Sequence, residues 1–438
     1  MYLFQSLTER INSNNPVKVG LIGAGKFGSM FLSQVPKITG VRIVAIADLN
    51  PAKAKLTCGA VGWEDALINR TAFLDDGILM IEKYNLDVVI EATGDPRAGI
   101  LHALETIRNG IHIVMVNVEA DVLAGAKLAE EAKSAGVVYS MAYGDQPALT
   151  CELVEWARSI GFTVIAAGKG TRYLPSYHES NPSTVWAHYG ITESQAKDAG
   201  MNSKMFNSFL DGTKSSLEMA AISNATGLSA PSNGLQFPPA GMDDLAHTLR
   251  PREDGGVLES KGMVEVVSSL ERDGRPVFKD LRWGVYVVIE ASNDYSAACF
   301  QQYGMNTDSS GRYSAMYKPF HLIGLELNIS VLSAAILNKA TGRTDAFNSD
   351  VVAVTKRELK AGQNLDGEGG FSVWGKLCSA KNSLKHNYLP IGLANNVRLN
   401  KNVSSNTPLK WSDVDIDRTA KEVDFRIQME KKWGDYLN

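Results

Sequence analysis

The sequence has few of the features that mark several classes of protein. Its 438 residues include four cysteines, Cys58, Cys151, Cys299 and Cys378, and none of them forms a C-x-x-C pair. This spacing argues against a disulfide framework or a zinc knuckle and favours a reducing compartment. No stretch approaches the roughly 18 uninterrupted apolar residues of a transmembrane helix, so a membrane partner is not expected.

The chain also lacks an excess of charge. Its formal net charge is -4, with 44% apolar and 21% charged residues, a composition typical of folded proteins that offers no surface for a polyanion. A nucleic-acid partner is therefore not expected. The first residues carry charge too early, and their apolar run is too short, for a signal peptide. They predict a short leading helix, and we expect a cytoplasmic protein.

A glycine-rich motif follows the first apolar strand, where residues 17–28 read VKVGLIGAGKFG. In a G-x-G-x-x-G loop, Gly23 allows a tight strand-to-helix turn and Gly25 lets the backbone approach a pyrophosphate, while Gly28 lets the helix lie close to the sheet. The free N–H groups at the start of that helix bind phosphate oxygens. The predicted cofactor contacts in this loop are Gly23, Gly25, Lys26, Phe27 and Gly28.

An acidic residue stands where such a site recognises the ribose. The apolar run 41–47 ends at Asp48, about 20 residues after the last glycine, where a carboxylate accepts hydrogen bonds from a ribose 2′-hydroxyl and repels a 2′-phosphate. The cofactor is therefore NAD or NADP, and Asp48 favours NAD. The alternative, a glycine-rich turn in an ordinary α/β domain, is disfavoured because strand, glycines, helix and acid occur in the expected order.

Further apolar runs alternate with amphipathic stretches up to residue 142, which predicts a parallel sheet covered by helices. Two of its strands end at Thr93-Gly94 and at Asn117, and the carboxyl ends of neighbouring strands in an open α/β sheet meet at the ligand site. Thr93, Gly94 and Asn117 are therefore predicted to contact the cofactor. The stretch after Asp48 is predicted to be irregular.

The pattern divides the chain into three parts. We predict an α/β protein with a Rossmann domain over 1–147, an α+β substrate and oligomerisation domain over 148–350, and a small all-β domain over 351–438. The elements predicted in the second part are helices over 147–160, 216–226 and 319–333 and strands over 162–170 and 283–290.

Several short segments resemble one known family along the whole chain. They are GLIGAGKFG, DVVIEATGDP, NVEADVLAG, YGDQP, AAGKG, NATGL and HTLRPREDGGVL, followed by LKAGQNLD and PLKWSDV. The chain resembles homoserine-dehydrogenase-like proteins with a C-terminal SAF, or β-clip, domain. That group includes the deoxyxylulose-phosphate-reductoisomerase-like enzymes, which use NADPH to isomerise and reduce a sugar phosphate. The resemblance implies a nicotinamide-dependent oxidoreductase.

The candidate catalytic groups lie near the boundary between the first two parts. Lys169 ends an apolar strand and can exchange a proton with a substrate or hold its anionic group, although a lysine at a strand end can also be a plain surface residue. Asp145 can orient Lys169, or bind a divalent metal with Glu119 or Glu152. It can equally cap the following helix. Glu119 occupies the turn where homoserine dehydrogenases carry a lysine.

A second group of residues suits an anionic substrate. His247 stands beside Arg250 and Arg252; arginine binds carboxylate or phosphate with two hydrogen bonds, and histidine transfers protons near neutral pH. A solvated charged loop is the alternative. Asn224 is a candidate substrate contact or a helix cap, and His321 is interpreted as a structural histidine.

These observations predict hydride transfer to or from a small anionic polyhydroxy or keto substrate, such as a sugar phosphate or sugar acid, with a reductoisomerase or oxidoisomerase as one form. A simple hydroxy-acid dehydrogenase of the homoserine dehydrogenase type and a non-catalytic NAD(P)-binding regulator are the alternatives. Because dehydrogenases of this kind commonly bury a sheet face against a second subunit, we expect a homodimer or homotetramer.

Overall fold

The computed structural model of the protein describes residues 3–437 and divides into two compact units. The first unit contains the chain up to Leu149 and a return segment, His321–Asp345. The second unit contains Thr150–Phe320 and the chain from Ala346 onward.

The first unit is built on one parallel sheet. Its strands are β1 (Val17–Ile22), β2 (Val41–Ala47), β3 (Ala72–Leu74), β4 (Val88–Glu91), β5 (His112–Met115) and β6 (Tyr139–Met141), in the order β3-β2-β1-β4-β5-β6. All neighbouring strands run parallel. The strands are apolar on both faces because helices cover both sides. The predicted Rossmann-type sheet is therefore confirmed.

Helices precede, connect and follow these strands. They are α1 (Leu3–Asn12), α2 (Lys26–Gln34), α3 (Pro51–Ala60), α4 (Asp65–Asn69), α5 (Gly77–Lys83), α6 (Pro96–Arg108), α7 (Val118–Ser134) and α8 (Gln146–Ser159). Helices α2 to α7 connect the strands, α1 precedes the first strand, and α8 follows the last strand and lies mostly in the second unit. Side-chain oxygens of Asn50, Asp76, Asp95 and Asn117 accept backbone N–H groups at the starts of α3, α5, α6 and α7. These caps fix where each helix begins and so fix the carboxyl ends of the preceding strands. The predicted leading helix is α1.

The prediction of an irregular stretch after Asp48 is wrong. Helices α3 and α4 occupy it. Helix α3 buries only Ala54 and Cys58, so the sequence shows no apolar stripe at helical spacing, although Asn50-Pro51 is a good helix start.

The second unit contains a mixed sheet. Its strands are β7 (Thr163–Thr171), β8 (Met263–Ser268), β9 (Val285–Glu290) and β10 (Tyr313–Lys318), in the order β10-β9-β7-β8. Strands β7 and β8 run parallel, whereas β9 is antiparallel to both β7 and β10. The predicted strands over 162–170 and 283–290 correspond to β7 and β9.

The helices between β7 and β10 of this unit are mostly short. They are α9 (Val185–Tyr189), α10 (Glu193–Asp198), α11 (Ser203–Leu210), α12 (Thr213–Thr226), α13 (Leu245–Thr248) and α14 (Asp294–Gln302). Helix α12 is buried on nearly all sides and contacts strands β7 and β8.

The return segment of the first unit differs from the predicted helix over 319–333. Helix α15 (Asn328–Leu332) and a π-helix (Ser333–Leu337) follow a run of turns. Gly324 has a φ of 70°, and a Cβ on it would lie 2.6 Å from the carbonyl oxygen of Phe27. This close contact requires glycine and delays the start of the helix.

The C-terminal region has small strands and two helices. Its elements are β11 (Ser349–Thr355), β12 (Asn364–Asp366), β13 (Val373–Ser379), α16 (Ala380–His386), β14 (Asn395–Leu399), β15 (Val414–Asp415) and α17 (Lys421–Leu437). Strands β11 and β13 form one antiparallel pair, and β12, β14 and β15 form a second sheet. Because α16 and α17 are present, the prediction of an all-β region is wrong in this respect.

Short 3₁₀ turns complete the structure, at Val35–Lys37, Pro175–Glu179, Arg252–Asp254, Ile391–Leu393 and Trp411–Asp413. Within residues 3–437, no helix is long and apolar enough to span a bilayer.

Candidate active site

The glycine loop has the geometry that its sequence predicts. Gly23 has a φ of 94°, and a Cβ there would lie 2.6 Å from the carbonyl oxygen of Ala92. A Cβ on Gly28 would lie 2.3 Å from the carbonyl oxygen of Gly23. Any side chain at either position would collide with backbone, so the turn and the close helix packing both require glycine.

Gly25 differs from the other two glycines because the space above it is open. A Cβ at this position would meet no atom within 4 Å, and Gly25 itself is the N-cap of α2. The first N–H groups of a helix have no partner within that helix. The loop therefore leaves room for a pyrophosphate beside the N–H groups of Lys26 and Phe27, and these residues fit a dinucleotide.

Asp48 lies beside this loop. One carboxylate oxygen accepts the N–H of Ala24 at 2.9 Å and the other accepts the N–H of Asn50 at 2.9 Å. Each oxygen keeps a lone pair for a further donor. The two bonds hold a negative charge against the glycine loop.

The ends of β4 and β5 come together as predicted. Asn117 is 1% exposed; its amide donates to the carbonyl oxygen of Asp95 at 2.8 Å and to the Thr93 hydroxyl at 3.4 Å. Thr93 and Gly94 are exposed, and a Cβ on Gly94 would meet nothing within 4 Å. Asn117 therefore holds the turn, while the turn itself faces open space. Glu119 lies half-buried in the first turn of α7.

Two residues at this turn were missed by the sequence reasoning. Glu91, the last residue of β4, is fully buried, and one of its oxygens accepts the Thr93 hydroxyl at 2.5 Å. His102 Nδ1 lies 3.2 Å from the same oxygen. The sequence feature that could have identified Glu91 is a carboxylate at the end of an otherwise apolar strand.

Lys169 lies in the second unit and is almost buried. Its ammonium forms a close ion pair with Glu218 of α12, and the two side chains are 6% and 4% exposed. Close backbone contacts explain why glycine stands on both sides of Lys169. A Cβ on Gly168 would lie 1.9 Å from the carbonyl oxygen of Glu265, and one on Gly170 would lie 1.9 Å from that of Leu281. The strand can therefore pass its neighbours only if both positions are glycine, and Lys169 is the one side chain between them.

A second buried carboxylate, Glu265, lies on β8. Its Oε1 accepts the N–H groups of Gln236, Phe237 and Val266 at 3.1, 3.3 and 2.9 Å. Burial raises the pKa of the Glu265 carboxyl to about 7, and these hydrogen bonds oppose the rise. Because Gly168 is the residue opposite Glu265 in the sheet, Glu265 points to the face away from Lys169.

The three residues predicted to bind an anion differ in their exposure to solvent. Arg250 forms a close ion pair with Asp308, and the two side chains are 13% and 1% exposed. Burial acts to raise the pKa of Asp308, but hydrogen bonds from the Tyr313 N–H and from Ser310, together with the charge of Arg250, outweigh it and lower the pKa. His247 and Arg252 are exposed. Arg250 is thus engaged within the fold, whereas His247 and Arg252 face solvent.

Asn224 fastens two parts of the second unit. Its side-chain oxygen accepts the N–H groups of Asn348 and Ser349 at 2.8 Å, and its amide donates to the carbonyl oxygen of Ser349 at 3.1 Å. These hydrogen bonds connect α12 to the start of β11, which is a structural role. Contact of Asn224 with a substrate stays a prediction.

Asp145 lies at the start of α8, where one of its oxygens accepts the N–H of Gln146 at 2.9 Å, and Glu152 lies half-buried on α8. In the described part of the chain, no group of three or more His, Cys, Asp or Glu side chains is placed to hold a metal. His321 and Glu326 lie in the return segment, and Glu326 accepts the N–H of Leu322 at 3.2 Å.

Two family models match the chain. The NAD-binding domain of homoserine dehydrogenase matches residues 20–141. The catalytic domain of oxidoreductase DRL matches residues 144–327. No curated protein sequence matches the chain.

Solved structures resemble the chain at low identity. Biliverdin reductase from Synechocystis sp. PCC 6803 is 18% identical over 37% of this chain and 52% of its own, with a TM-score of 0.27. Myo-inositol dehydrogenase from Lactobacillus casei is 15% identical over 40% and 50%, with a TM-score of 0.29. A putative myo-inositol dehydrogenase from Sinorhizobium meliloti 1021 is 11% identical over 73% and 88%, with a TM-score of 0.36.

The chain spans about half the length of the first two of these structures, and the likeness to all three is too low to bear on mechanism. The family models give the firmer result. With a homoserine-dehydrogenase-type NAD-binding domain ahead of an oxidoreductase catalytic domain, the chain has the domain composition of an NAD-dependent oxidoreductase.

Proposed function

We propose that this protein transfers a hydride between NAD(H) and a carbinol or keto carbon of a small anionic polyhydroxy substrate, such as a sugar acid or a sugar phosphate. The observation that carries the proposal is the glycine loop, with open space above Gly25 and the carboxylate of Asp48 held beside it. Gly23 and Gly28 set the turn and the helix, and Gly25 leaves the room that a pyrophosphate needs.

The same geometry supports a preference for NAD(H) over NADP(H). Asp48 is fixed by two backbone N–H groups, so its charge cannot move far from a bound ribose. A 2′-phosphate placed there would be repelled. When bound, the nicotinamide ring accepts or supplies the hydride.

Lys169 is the proposed proton-transfer group. In the reducing direction its ammonium gives a proton to the substrate oxygen as the carbon receives the hydride, and in the oxidising direction the amine takes that proton. Glu218 holds the ammonium in one place at low exposure, where charge interactions are strong. His247 and Arg252, both exposed, are the proposed contacts to the anionic end of the substrate.

Two finer forms of this activity have different support. The match to the oxidoreductase DRL catalytic domain supports an oxidoreductase, and coupling of hydride transfer to rearrangement is proposed from the resemblance of the sequence to the reductoisomerase-like group. The homoserine dehydrogenase match supports a simple hydroxy-acid dehydrogenase. We favour the first because its model covers the proposed substrate region. We also propose a SAF-like module at the C-terminus and a homodimer or homotetramer.

Cofactor titration tests the proposal. NADH and NADPH are titrated by nicotinamide fluorescence into the wild type and Asp48→Asn, and we expect the wild type to bind NADH at least as tightly as NADPH. The variant should shift the affinity ratio toward NADPH by about tenfold, because a repulsion of about 1.4 kcal/mol is removed. A wild type that binds neither form contradicts the proposed function. A wild type that binds NADPH more than about tenfold tighter contradicts only the assignment of Asp48.

Substrate class is tested separately by following NADH oxidation and NAD reduction over sugar acids, sugar phosphates, polyols and hydroxy acids. Turnover with at least one anionic polyhydroxy or keto compound is expected. Cofactor binding without turnover of any of them supports a regulatory protein instead.

A further inference from the structure

Glu91 is a buried charge placed directly beneath the exposed turn that follows β4. It is 0% exposed, and its Oε1 is shared by the Thr93 hydroxyl at 2.5 Å, the Thr93 N–H at 3.3 Å and His102 Nδ1 at 3.2 Å. Within the residues that the structure describes, Glu91 Oε2 is buried and has no hydrogen-bond partner. Burying a carboxylate in this way is costly, so its position calls for a reason beyond packing.

The imidazole of His102 packs against Gly77 of α5. A Cβ on Gly77 would lie 2.8 Å from His102 Nε2, so a residue with a side chain at position 77 would displace the ring. Helix α5 therefore leaves room for His102, and α6 carries it to the end of β4.

The Thr93 hydroxyl is fully used by the fold. It donates to Glu91 and lies 3.3 Å from the donating N–H of Asp95 and 3.4 Å from the amide nitrogen of Asn117. A hydroxyl has one donor and two acceptor positions, and all three are occupied. The hydroxyl of Thr93 is thus directed toward Glu91, and the backbone of the turn is exposed to solvent.

This turn packs directly on the glycine loop. A Cβ added to Gly23 would lie 2.6 Å from the carbonyl oxygen of Ala92 and 3.1 Å from the nitrogen of Thr93, so the turn leaves no room for a side chain there. The N–H of Ala92 also donates to the carbonyl oxygen of Ile22 at 2.8 Å. Because the two backbones lie this close, a displacement of the turn at Thr93 changes the position of the glycine loop.

We propose that Glu91, supported by His102, is a positioning residue that sets the cofactor affinity of the first unit by fixing the turn at residues 93–95 against the glycine loop. It does so without touching the cofactor. This inference rests on the proposed function, since it takes the glycine loop to bind NAD(H).

The test compares Glu91→Gln, Thr93→Val and Thr93→Ser with the wild type. Thr93→Val removes the hydrogen bond between the two side chains, and Glu91→Gln leaves only the weaker bond to a neutral amide oxygen. We expect Thr93→Val to raise the Kd for NADH by about ten- to a hundredfold and Glu91→Gln by about tenfold. Thr93→Ser keeps the hydroxyl and should bind NADH within about twofold of the wild type. Glu105→Gln is the matched control, because Glu105 bonds Arg108 and Asn109 at the end of α6, away from the turn.

The double variant Glu91→Gln/Thr93→Val separates positioning from general destabilisation. If both changes act through one contact, the Kd of the double variant for NADH is no higher than the higher Kd of the two single variants. In steady state the KM for the cofactor should rise, while the KM for the substrate at saturating cofactor stays unchanged.

The inference is overturned if Glu91→Gln and Thr93→Val lower the melting temperature but bind NADH as the wild type does, or if Thr93→Ser is as impaired as Thr93→Val. Failure of the wild type itself to bind NAD(H) would instead contradict the proposed function. Should Glu91→Gln fail to fold, the comparison of Thr93→Val with Thr93→Ser still decides the question, because both keep the buried carboxylate.

Discussion

Lys169 and Glu218 carry the chemistry proposed for the second unit, and their burial makes them interdependent. Removing one partner of a buried ion pair leaves the other charge without compensation and costs about 3–5 kcal/mol. Replacing both partners with neutral side chains avoids that cost. The stability role and the proton-transfer role of Lys169 can therefore be separated by comparing single and double variants.

We predict that Lys169→Met lowers turnover by about 10²–10⁴-fold with little change in the Kd for NADH, because it removes the proton-transfer group and leaves the glycine loop intact. Lys169→Met/Glu218→Met should recover thermal stability without recovering turnover. Steady-state kinetics and thermal melts measure both quantities.

Lys261→Met is the control for Lys169→Met, since Lys261 pairs with Glu290 at 2.8 Å in the same unit and is 42% exposed. It should keep normal turnover. If Lys169→Met also keeps near-normal turnover, Lys169 is not the proton-transfer group, and Glu119 and His321 become the candidates.

Glu265 predicts a specific dependence of stability on pH. Burial raises the pKa of its carboxyl from 4.5 to about 7 in the folded protein. Between these values the folded protein holds a proton that the unfolded chain has released, so the contribution of Glu265 to stability falls as pH rises through this window. The total loss is about 3 kcal/mol above pH 7.

Glu265→Gln should remove this dependence, because a glutamine does not ionise. The free energy of unfolding of Glu265→Gln minus that of the wild type should rise by about 3 kcal/mol between pH 4.5 and 8. Urea titrations across this range measure the difference, and the other titrating groups cancel in it. A difference that does not change with pH contradicts the assignment.

Single buried polar residues are what sequence patterns reveal least. Glu218 sits in α12, which is buried on nearly all sides, so no polar face separates it from its neighbours. Glu265 interrupts the apolar strand β8 but looks like any solvent-facing residue of an alternating strand. Their roles depend on partners far away in sequence, such as Lys169 for Glu218. Lys169 itself was found because it ends an apolar run between two glycines.

Among elements, the loop between β1 and α2 allows stability and binding to be separated. A Cβ on Gly28 would collide with the carbonyl oxygen of Gly23, whereas a Cβ on Gly25 would meet nothing within 4 Å. Gly25 also has a negative φ of -69° and an extended backbone, which alanine adopts without strain.

We predict that Gly25→Ala keeps the thermal stability of the wild type but weakens NADH binding by about tenfold or more, because its methyl group occupies the space left for the pyrophosphate. Gly28→Ala should lower both stability and binding, since the helix must move away from the turn. Thermal melts and fluorescence titration of the two variants give the comparison. Unchanged NADH affinity in a well-folded Gly25→Ala variant would place the cofactor elsewhere.

Elements were predictable where local sequence decides them. Continuous apolar runs followed by glycine or a capping residue gave the strands of the first sheet, and the glycine spacing gave α2. Helix α3 was missed because it buries only two side chains. The helices α16 and α17 were missed because the surrounding Gly, Asn and Pro residues favoured an all-β pattern, and α17 has no broad apolar stripe in its sequence.

For the whole molecule, the contacts of the C-terminal region connect it with the preceding part of its compact unit. Residues from Ala346 onward belong to the same compact unit as Thr150–Phe320. Buried polar contacts connect the two stretches: Lys356 donates to Asp211 at 2.7 Å, and the N–H of Gly375 donates to the Thr213 hydroxyl at 2.8 Å. Such contacts between distant single residues leave no local pattern, so the sequence pattern alone predicts a separate module and does not reveal them.

Arg426 anchors the last helix within this unit. Its guanidinium is 0% exposed; it donates to Asp350 on β11 at 2.6 Å and to Glu430 at 2.8 Å, and it lies over the ring of Phe347 at 4.8 Å. The hydroxyl of Ser383 also donates to Asp350, at 2.7 Å. Through Asp350, α16 and α17 are both hydrogen-bonded to β11. Asn224 bonds the start of the same strand.

We predict that Arg426→Met destabilises the whole second unit by about 3–5 kcal/mol, because it leaves the buried carboxylate of Asp350 without its cation. Hydrogen exchange should show β7 and β9 losing protection together with β11 and β13, because all four strands lie in one compact unit, which we expect to unfold cooperatively. Arg418→Met is the control: Arg418 is exposed over the ring of Trp411, and its loss should change stability by no more than about 0.5 kcal/mol. If protection falls only after residue 346, the C-terminal region is an independent module and the second unit must be divided there.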